Sequence, residues 1–356
     1  MKKLGFALIG CGNIAKKHAH VLSHYLKDAE AAAFVDVNVT RASELSAKYG
    51  GAPAFATVAE MMREVGDRID VFSVLTPSGT HCANVIELAE YGRPIVVEKP
   101  LALRLDDADR MIEACDAHGV KLFVVHQNRY NPPIVKAREA LEQGRFGRLV
   151  LGTVRLRWTR EQAYYDSESW RGTWAHDGGV FMNQAVHHID MLSWFMGNAE
   201  TIRSMAATRL VKIEAEDTGV AIIRYNSGAL GVLEATTAAR PKDLEGSISI
   251  LGEKGSVVIG GYFMNQLVTW LFADTQPIDE VIFEKYGKNP PEFGHNLGEY
   301  LRGVVTSLKT KKAALVDGLE GRKSLELITA LYESIENDAD VQLRFRPKKC
   351  RLGVAS

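Results

Sequence analysis

Two short stretches of this sequence carry side chains of the kind that move protons. The first is Val97-Glu98-Lys99-Pro100, preceded by the apolar Ile95-Val96. Residues 95–97 read as a buried parallel strand, and open α/β sheets take their ligands at the carboxyl ends of their strands. Pro100 has no N–H to donate and stops the ladder, so Lys99 is expected to project from the sheet edge as a titratable amine. The second stretch runs from Gly178-Gly179-Val180 through Asn183-Gln184-Ala185-Val186-His187-His188-Ile189-Asp190. Read as one helix over 180–196, it puts Asn183 and His187 four residues apart on a shared face, with Asp190 in reach of the same imidazole. Met182, Val186, Ile189 and Leu192 then form its buried stripe. His188 is turned about 100° from His187, so the two rings diverge and no metal site is expected. A lysine and a histidine of this kind are candidates for general acid–base catalysis.

A third stretch prepares a nucleotide pocket. Gly10-Cys11-Gly12-Asn13-Ile14-Ala15 follows an apolar strand over 4–10 and opens a helix that runs through His18 toward Leu26. Gly10 permits a tight turn, Gly12 lets backbone approach a pyrophosphate, and Ala15 allows close helix–sheet packing, with the positive helix end behind them. The next strand, 31–36, ends in Asp36, 26 residues beyond Gly10, near the spacing of an acid that binds the adenosine ribose. That carboxylate would repel a 2′-phosphate and favours NAD over NADP; Arg41 is the complication, since it can stack on adenine or pair with such a phosphate. The polar turn Thr76-Pro77-Ser78-Gly79-Thr80-His81 follows another strand, 70–75, and should line the same cleft. The expected cofactor contacts are therefore Gly10, Gly12, Asn13, Ile14, Asp36, Thr76, Pro77, Ser78, His81, Glu98, Lys99 and Gln127.

These groups need a frame. With helices to Tyr91 and near Leu105–His118, and a strand at Lys121–His126, the first part of the chain alternates strand and helix. That implies a doubly wound parallel sheet with right-handed crossovers. After residue 127 the pattern changes. Asn131-Pro132-Pro133 breaks the chain, and a helix near Ile134–Gln143 leads into β-rich runs at 150–158, 219–225, 230–237, 247–251, 256–259, 267–272 and 280–283. Asn226-Ser227-Gly228-Ala229 and Gly252-Glu253-Lys254-Gly255 read as hairpin turns. Helices are expected at 293–309 and 319–336. The fold class is α/β: a Rossmann domain over 1–127 and a second α/β domain over 128–356, built on an open, mostly antiparallel sheet. One face of that sheet is left to pack on a helix or a subunit.

Composition narrows the field. The 43 basic and 44 acidic residues give a net charge of −1, which is no footprint for nucleic acid or a polybasic membrane surface. Four cysteines, Cys11, Cys82, Cys115 and Cys350, lie far apart without a C-x-x-C. They point to neither zinc nor disulfides, and a reducing cytoplasm fits. No apolar window of ~18 residues exists to span a bilayer, and the amino-terminal run 4–9 is too short for a signal peptide.

Taken together, the G-x-G-x-x-A turn, Asp36, Glu98-Lys99-Pro100, the Asn183–Leu192 helix and Leu315-Val316-Asp317-Gly318 onward resemble the Gfo/Idh/MocA oxidoreductases over nearly the whole chain. The resemblance implies Lys99 and His187 as the catalytic pair and NAD as cofactor. The family's usual helix motif is D-x-x-x-H; here its first position is Asn183, which takes no proton. His126-Gln127-Asn128-Arg129-Tyr130, Trp170-Arg171-Gly172-Thr173-Trp174 and Met182-Asn183-Gln184 are most similar to the family's enzymes that oxidise C3 of UDP-N-acetylglucosaminuronate for bacterial surface polysaccharide such as lipopolysaccharide O-antigen. What this resemblance implies is a UDP-sugar substrate touched by Lys99, Tyr130, Arg171, Asn183, Gln184 and His187, a homotetramer, and 2-oxoglutarate as an acceptor that re-oxidises the cofactor. Rival readings are oxidation of inositol or a hexose, an NAD-using glycosidase, and a non-enzymatic NAD sensor; a pure binder needs neither Lys99 nor His187.

Overall fold

A computed structural model of the chain describes residues 3–288, 295–313 and 315–343. The amino-terminal part runs β1 (Leu4–Ile9), α1 (Asn13–His24), β2 (Ala29–Val35), α2 (Val39–Lys48), β3 (Ala54–Phe55), α3 (Val58–Val65), β4 (Val71–Val74), α4 (His81–Ala89), β5 (Ile95–Val97), α5 (Leu105–Ala117) and β6 (Leu122–Val124). All six strands are parallel, in the order β3-β2-β1-β4-β5-β6. The strand order reverses between β1 and β4, which opens the crevice where doubly wound sheets bind nucleotides. The expected Rossmann domain is therefore present. It also contains α2, β3 and α3, which were not among the expected elements, although Thr57 caps α3 by accepting the Glu60 N–H at 3.2 Å, a Thr-x-x-Glu start signal.

The remainder runs α6 (Pro132–Glu142), β7 (Leu149–Arg157), α7 (Gln162–Asp166), α8 (Val186–Met196), β8 (Ala199–Ala207), β9 (Thr218–Tyr225), β10 (Leu230–Thr236), β11 (Glu245–Gly252), β12 (Gly255–Gly260), β13 (Gln266–Phe272), α9 (Pro277–Phe283), α10 (His295–Thr310), α11 (Gly318–Asn337) and β14 (Val341–Gln342). Its eight strands lie in the order β13-β12-β11-β7-β10-β9-β8-β14, antiparallel except for β7 beside β10. Alternation along β9 and β10 buries Ala221, Ile223, Leu233 and Ala235 under α8 and α11 and leaves Val220, Ile222, Leu230 and Val232 on an open face. The segment 280–283, expected as a strand, is the end of α9. Pro277 opens that helix and Gln276 with Asp279 closes a capping box, so cap chemistry outweighs β-branched content. The predicted start of the next helix, 293–294, lies outside the described residues, as does Cys350.

Two features tie the parts together. Helix α10 returns to the first sheet, where its Leu297, Tyr300, Leu301, Val304 and Val305 pack with Phe6, Leu8, Val96 and Phe123. In sequence it belongs to the second segment; its apolar stripe finds its partner surface in the first. The other tie is ionic. Arg129, 2% exposed, donates Nε and Nη2 to the two oxygens of Asp190 on α8, at 2.9 and 2.7 Å. Its Nη1 reaches Glu320 on α11 at 3.1 Å, and its guanidinium lies over the Trp194 ring. Burial alone would raise the Asp190 pKa, but Arg129 and then His126 outweigh it and hold the carboxyl below the usual range. A depressed carboxylate stabilises the fold above its unfolded-state pKa, and that contribution disappears as pH falls through the folded-state value. Asp190→Asn should therefore cost about 3–5 kcal/mol in urea unfolding at neutral pH, because it strands a buried guanidinium. The gap to the unaltered protein should narrow on acidification through the carboxylate range.

Candidate active site

The glycine turn leaves β1 at Gly10, whose φ is +93°; a Cβ there would sit 2.9 Å from the backbone of Leu75 and Thr76. Only glycine fits that approach. Gly12 has open space where a Cβ would stand and serves as N-cap of α1 without a side-chain cap. The first N–H groups of α1 thus face the crevice without a side-chain acceptor, a cradle suited to phosphate. Asp36 holds the turn from below: Oδ2 accepts the Cys11 N–H and Oδ1 the Asn38 N–H, both at 2.8 Å. Each oxygen keeps a further lone pair for a ribose hydroxyl. A cavity of ≈ 380 Å³ opens beside the turn, lined by Gly12, Asn13, Lys16, Arg41, Glu44 and Glu168 among others. Arg41 lies 3.7 Å from Glu168, which belongs to the second domain and closes the far wall. The wall carries Lys16, Arg41 and Lys48 beside Glu44 and Glu168, so the preference for ribose hydroxyls over a 2′-phosphate rests on Asp36.

Thr76, Pro77 and Ser78 are half-buried at the β4 end; the Thr76 hydroxyl accepts from Thr80 and Asn84. Two of the expected cofactor contacts face inward instead. His81 is fully buried, with Nδ1 on the Pro100 carbonyl at 2.9 Å and Nε2 on that of Thr76 at 3.0 Å. It ties the Thr76 turn to the Lys99 turn. Glu98 is 5% exposed, bonded to His18 Nε2 at 2.9 Å and to the Lys99 N–H at 3.1 Å. Both polar residues pointed to a cleft in the sequence; adjacent strand residues face opposite ways, and Glu98 takes the buried side while Lys99 takes the crevice. Gln127 is half-buried at the end of β6.

The second proton-moving stretch differs from the helix expected. Val180–Gln184 is a π turn, with the Ala185 N–H on the Val180 carbonyl at 2.8 Å, and α8 begins only at Val186. The extra residue spoils the four-residue spacing of Asn183 and His187. At this interruption the Asn183 main-chain carbonyl accepts from Lys99 Nζ at 3.1 Å, which brings the two stretches together. Asp190 does not support His187, since its carboxylate is taken by Arg129. Instead, the buried Asp177, which sequence reading passed over, bonds the Asn183 side-chain amide. Its only signal was position, one residue before Gly178-Gly179. His187 meets His126 edge to face, with ring centroids 6.1 Å apart, while the buried His188 packs on Trp158 under the second sheet. The two imidazoles diverge as expected.

Electrostatics separate the two candidates. Burial lowers the Lys99 pKa, with Lys17 and Arg171 acting the same way and Glu98 and Asp177 opposing. Burial, then Lys99, His126 and His188, holds the His187 imidazole well below the usual histidine range. His187 is therefore neutral at working pH and a weak base, whereas Lys99 is an amine made easier to deprotonate. Of the other expected substrate contacts, Arg171 stacks over Tyr164 and Trp170, at 4.4 and 4.6 Å, and donates to the Tyr164 hydroxyl. Gln184 lies between Arg160 and Tyr164. Tyr130 turns elsewhere: its ring packs on Tyr300 of α10, 5.8 Å between centroids, and burial raises its hydroxyl to about 12. It supports α10 rather than facing Lys99. Among the described residues no cluster of three or more His, Cys, Asp or Glu could hold a metal.

A phosphate cradle at a strand switch point, beside an amine and a neutral imidazole, defines a nicotinamide-dependent oxidoreductase with its own substrate domain. Residues 4–126 match the NAD-binding Rossmann fold of the Gfo/Idh/MocA oxidoreductase family and residues 138–343 its C-terminal alpha/beta domain; the chain belongs to that family. It is similar to the WlbA dehydrogenase of Bordetella pertussis, crystallised with NADH and UDP-GlcNAcA, at 41% identity, covering 97% of this chain and 99% of that one with a TM-score of 0.88. WlbA of Chromobacterium violaceum, also with NADH and UDP-GlcNAcA, is 39% identical, covers 98% of each chain and has a TM-score of 0.89. Myo-inositol 2-dehydrogenase of Thermotoga maritima is 29% identical over 94% of this chain and 97% of its own. The protein is an NAD-dependent dehydrogenase of a sugar or polyol, acting on a CH–OH group. Asp36→Ala should weaken NADH binding and narrow the gap to NADPH in fluorescence titration; equal affinity of the unaltered protein for both would contradict the role given to Asp36.

Proposed function

We propose that the substrate is UDP-N-acetylglucosaminuronate and that the enzyme oxidises its C3 hydroxyl to the ketone, for bacterial surface polysaccharide such as lipopolysaccharide O-antigen. The observation that carries this reading is similarity at 41% and 39% identity, over nearly the whole chain, to two dehydrogenases crystallised with UDP-GlcNAcA, against 29% to an inositol dehydrogenase. The crevice wall supports it. Arg160 and Arg171 stand among Trp158, Tyr164 and Trp170, donors and ring faces suited to a diphosphate, a carboxylate and a base. A neutral polyol needs no such cations.

The chemistry follows from the protonation states. The Gly10–Ala15 turn and Asp36 would hold NAD, which would supply the acceptor for the hydride of the carbinol carbon. Lys99, as the neutral amine, takes the hydroxyl proton as the carbonyl forms. His187 remains neutral and hydrogen-bonds the reacting oxygen, because a protonated lysine beside it disfavours a second cation. As the resemblance implies, 2-oxoglutarate would serve as the acceptor that re-oxidises a nicotinamide retained by the enzyme. Two copies pair through the open sheet face, where Met205, Val220, Ile222, Leu230 and Val232 are exposed, as part of a homotetramer working in the cytoplasm.

The deciding assay compares reduction of NAD with UDP-N-acetylglucosaminuronate, myo-inositol and glucose. The sugar nucleotide should be turned over fastest, and equal turnover of a neutral polyol would reject the substrate. Lys99→Met should lower kcat by ~10²–10⁴-fold and His187→Asn by less, with NADH binding kept in both. Enzyme purified without added cofactor should carry reduced nicotinamide that 2-oxoglutarate discharges. A monomer in light scattering at micromolar concentration would contradict the assembly.

A further inference from the structure

Four side chains along the crevice form one run of hydrogen bonds with a fixed direction. Asp177, 2% exposed, accepts the Gly172 N–H on Oδ2 at 2.7 Å and the Asn183 Nδ2 on Oδ1. Asn183 Oδ1 accepts from Gln184 Nε2 at 2.8 Å, and Gln184 Oε1 accepts from Arg160 Nη2 at 3.2 Å. An ionised carboxylate only accepts and a guanidinium only donates; each amide between them has one accepting and one donating end. With such ends, a single orientation of both amides leaves no donor facing a donor. That orientation turns Gln184 Nε2 toward Tyr164, whose oxygen takes this N–H at 2.9 Å and Arg171 Nη1 at 2.6 Å. With both lone pairs occupied, Tyr164 has only its own proton left to offer.

We propose that Asp177 is a positioning residue that, through Asn183 and Gln184, locks Tyr164 as a hydrogen-bond donor toward an anionic or carbonyl oxygen of the substrate. It also fixes the Asn183 segment whose carbonyl receives Lys99. The family's usual carboxylate at position 183 is thus displaced to 177 and acts through an amide. The orientation of that amide depends on Asp177 accepting at one end, and nothing else in the run supplies an acceptor-only group. The inference rests on the reading that Lys99 takes the substrate proton; the polarity of the run itself does not depend on which sugar binds.

The same logic says how to break the run and how to mend it. Asp177→Asn leaves one accepting oxygen where the Gly172 N–H and the Asn183 amide now have two, so one of those contacts must fail. Adding Asn183→Asp transposes the carboxylate. The acid now at position 183 would accept both from the amide now at position 177 and from Gln184, and the oxygen of that amide can still accept the Gly172 N–H. On whichever alcohol the unaltered enzyme oxidises, Asp177→Asn should lower kcat/KM by ~10–100-fold, the scale of one unsatisfied buried group. Tyr164→Phe should reproduce the part seen in KM. Asp177→Asn with Asn183→Asp should recover most of the loss, which a merely structural role for Asp177 does not allow. NADH binding, governed by the Gly10–Ala15 turn, should be unchanged in all three. With selective ¹⁵N labelling, the Asn183 and Gln184 side-chain amides should exchange slowly in the unaltered protein, quickly in Asp177→Asn, and Gln184 slowly again in the double variant. An Asp177→Asn enzyme within twofold of the unaltered one overturns the proposal. So does a double variant no better than Asp177→Asn, or one that fails to fold. Failure of the unaltered enzyme to use UDP-N-acetylglucosaminuronate would instead reject the substrate reading, and the labelled amides would still decide this one.

Discussion

The site depends on one buried ion pair. Arg129 follows the last strand of the first sheet, and Asp190 sits near the start of α8; their two hydrogen bonds, at 2.9 and 2.7 Å, set the distance and rotation of α8 relative to β6. Desolvating two charges is costly unless geometry is good and the remaining donors are satisfied. Here the fork is bidentate, the third guanidinium nitrogen has Glu320, and Trp194 covers one face. The fork ties α8 to the end of β6, where His187 meets His126 and the preceding π turn meets Lys99.

The candidate site is shared across that junction rather than contained in either sheet. Lys99 comes from the end of β5; the carbonyl that receives it comes from the π turn before α8; Asp177 comes from the loop ahead of that turn. The buried His18–Glu98 contact and the His81 bridge between the Thr76 and Lys99 turns stiffen the Rossmann side. A π turn is strained relative to a regular helix and tends to persist where it serves a function. In this protein it turns a main-chain carbonyl toward an amine, a contact that a regular helix would spend on its own ladder.

Much of this was legible in sequence. The glycine turn, Asp36 and the strand-end Lys99 were read correctly as parts of a parallel nucleotide-binding sheet, because strand period, glycine spacing and proline stops are local physics. The second domain's hairpins were equally legible from their turn residues. Errors came where a local signal had two readings. Glu280–Phe283 has strand-like side chains but sits behind Pro277 and a capping box, and the cap decided. His81 and Glu98 are polar residues at the right ends of strands, yet both point inward, since a strand end has two faces and pattern alone does not say which is crevice.

By itself the sequence determined the class of fold and the cofactor turn, and it singled out Lys99 and His187 as candidates for proton chemistry. Those depend on backbone rules that act within a few residues: where glycine is required, where a strand stops, which side chains titrate. Only the tertiary structure decided that Asp190 belongs to Arg129 and not to His187, that Asp177 bonds the Asn183 side chain, and that Tyr130 supports α10 instead of facing the crevice. Each of those outcomes is a competition among charged or aromatic groups brought together from distant segments. In a desolvated interior a carboxylate goes to the partner that best compensates its burial, a comparison made in space and not along the chain.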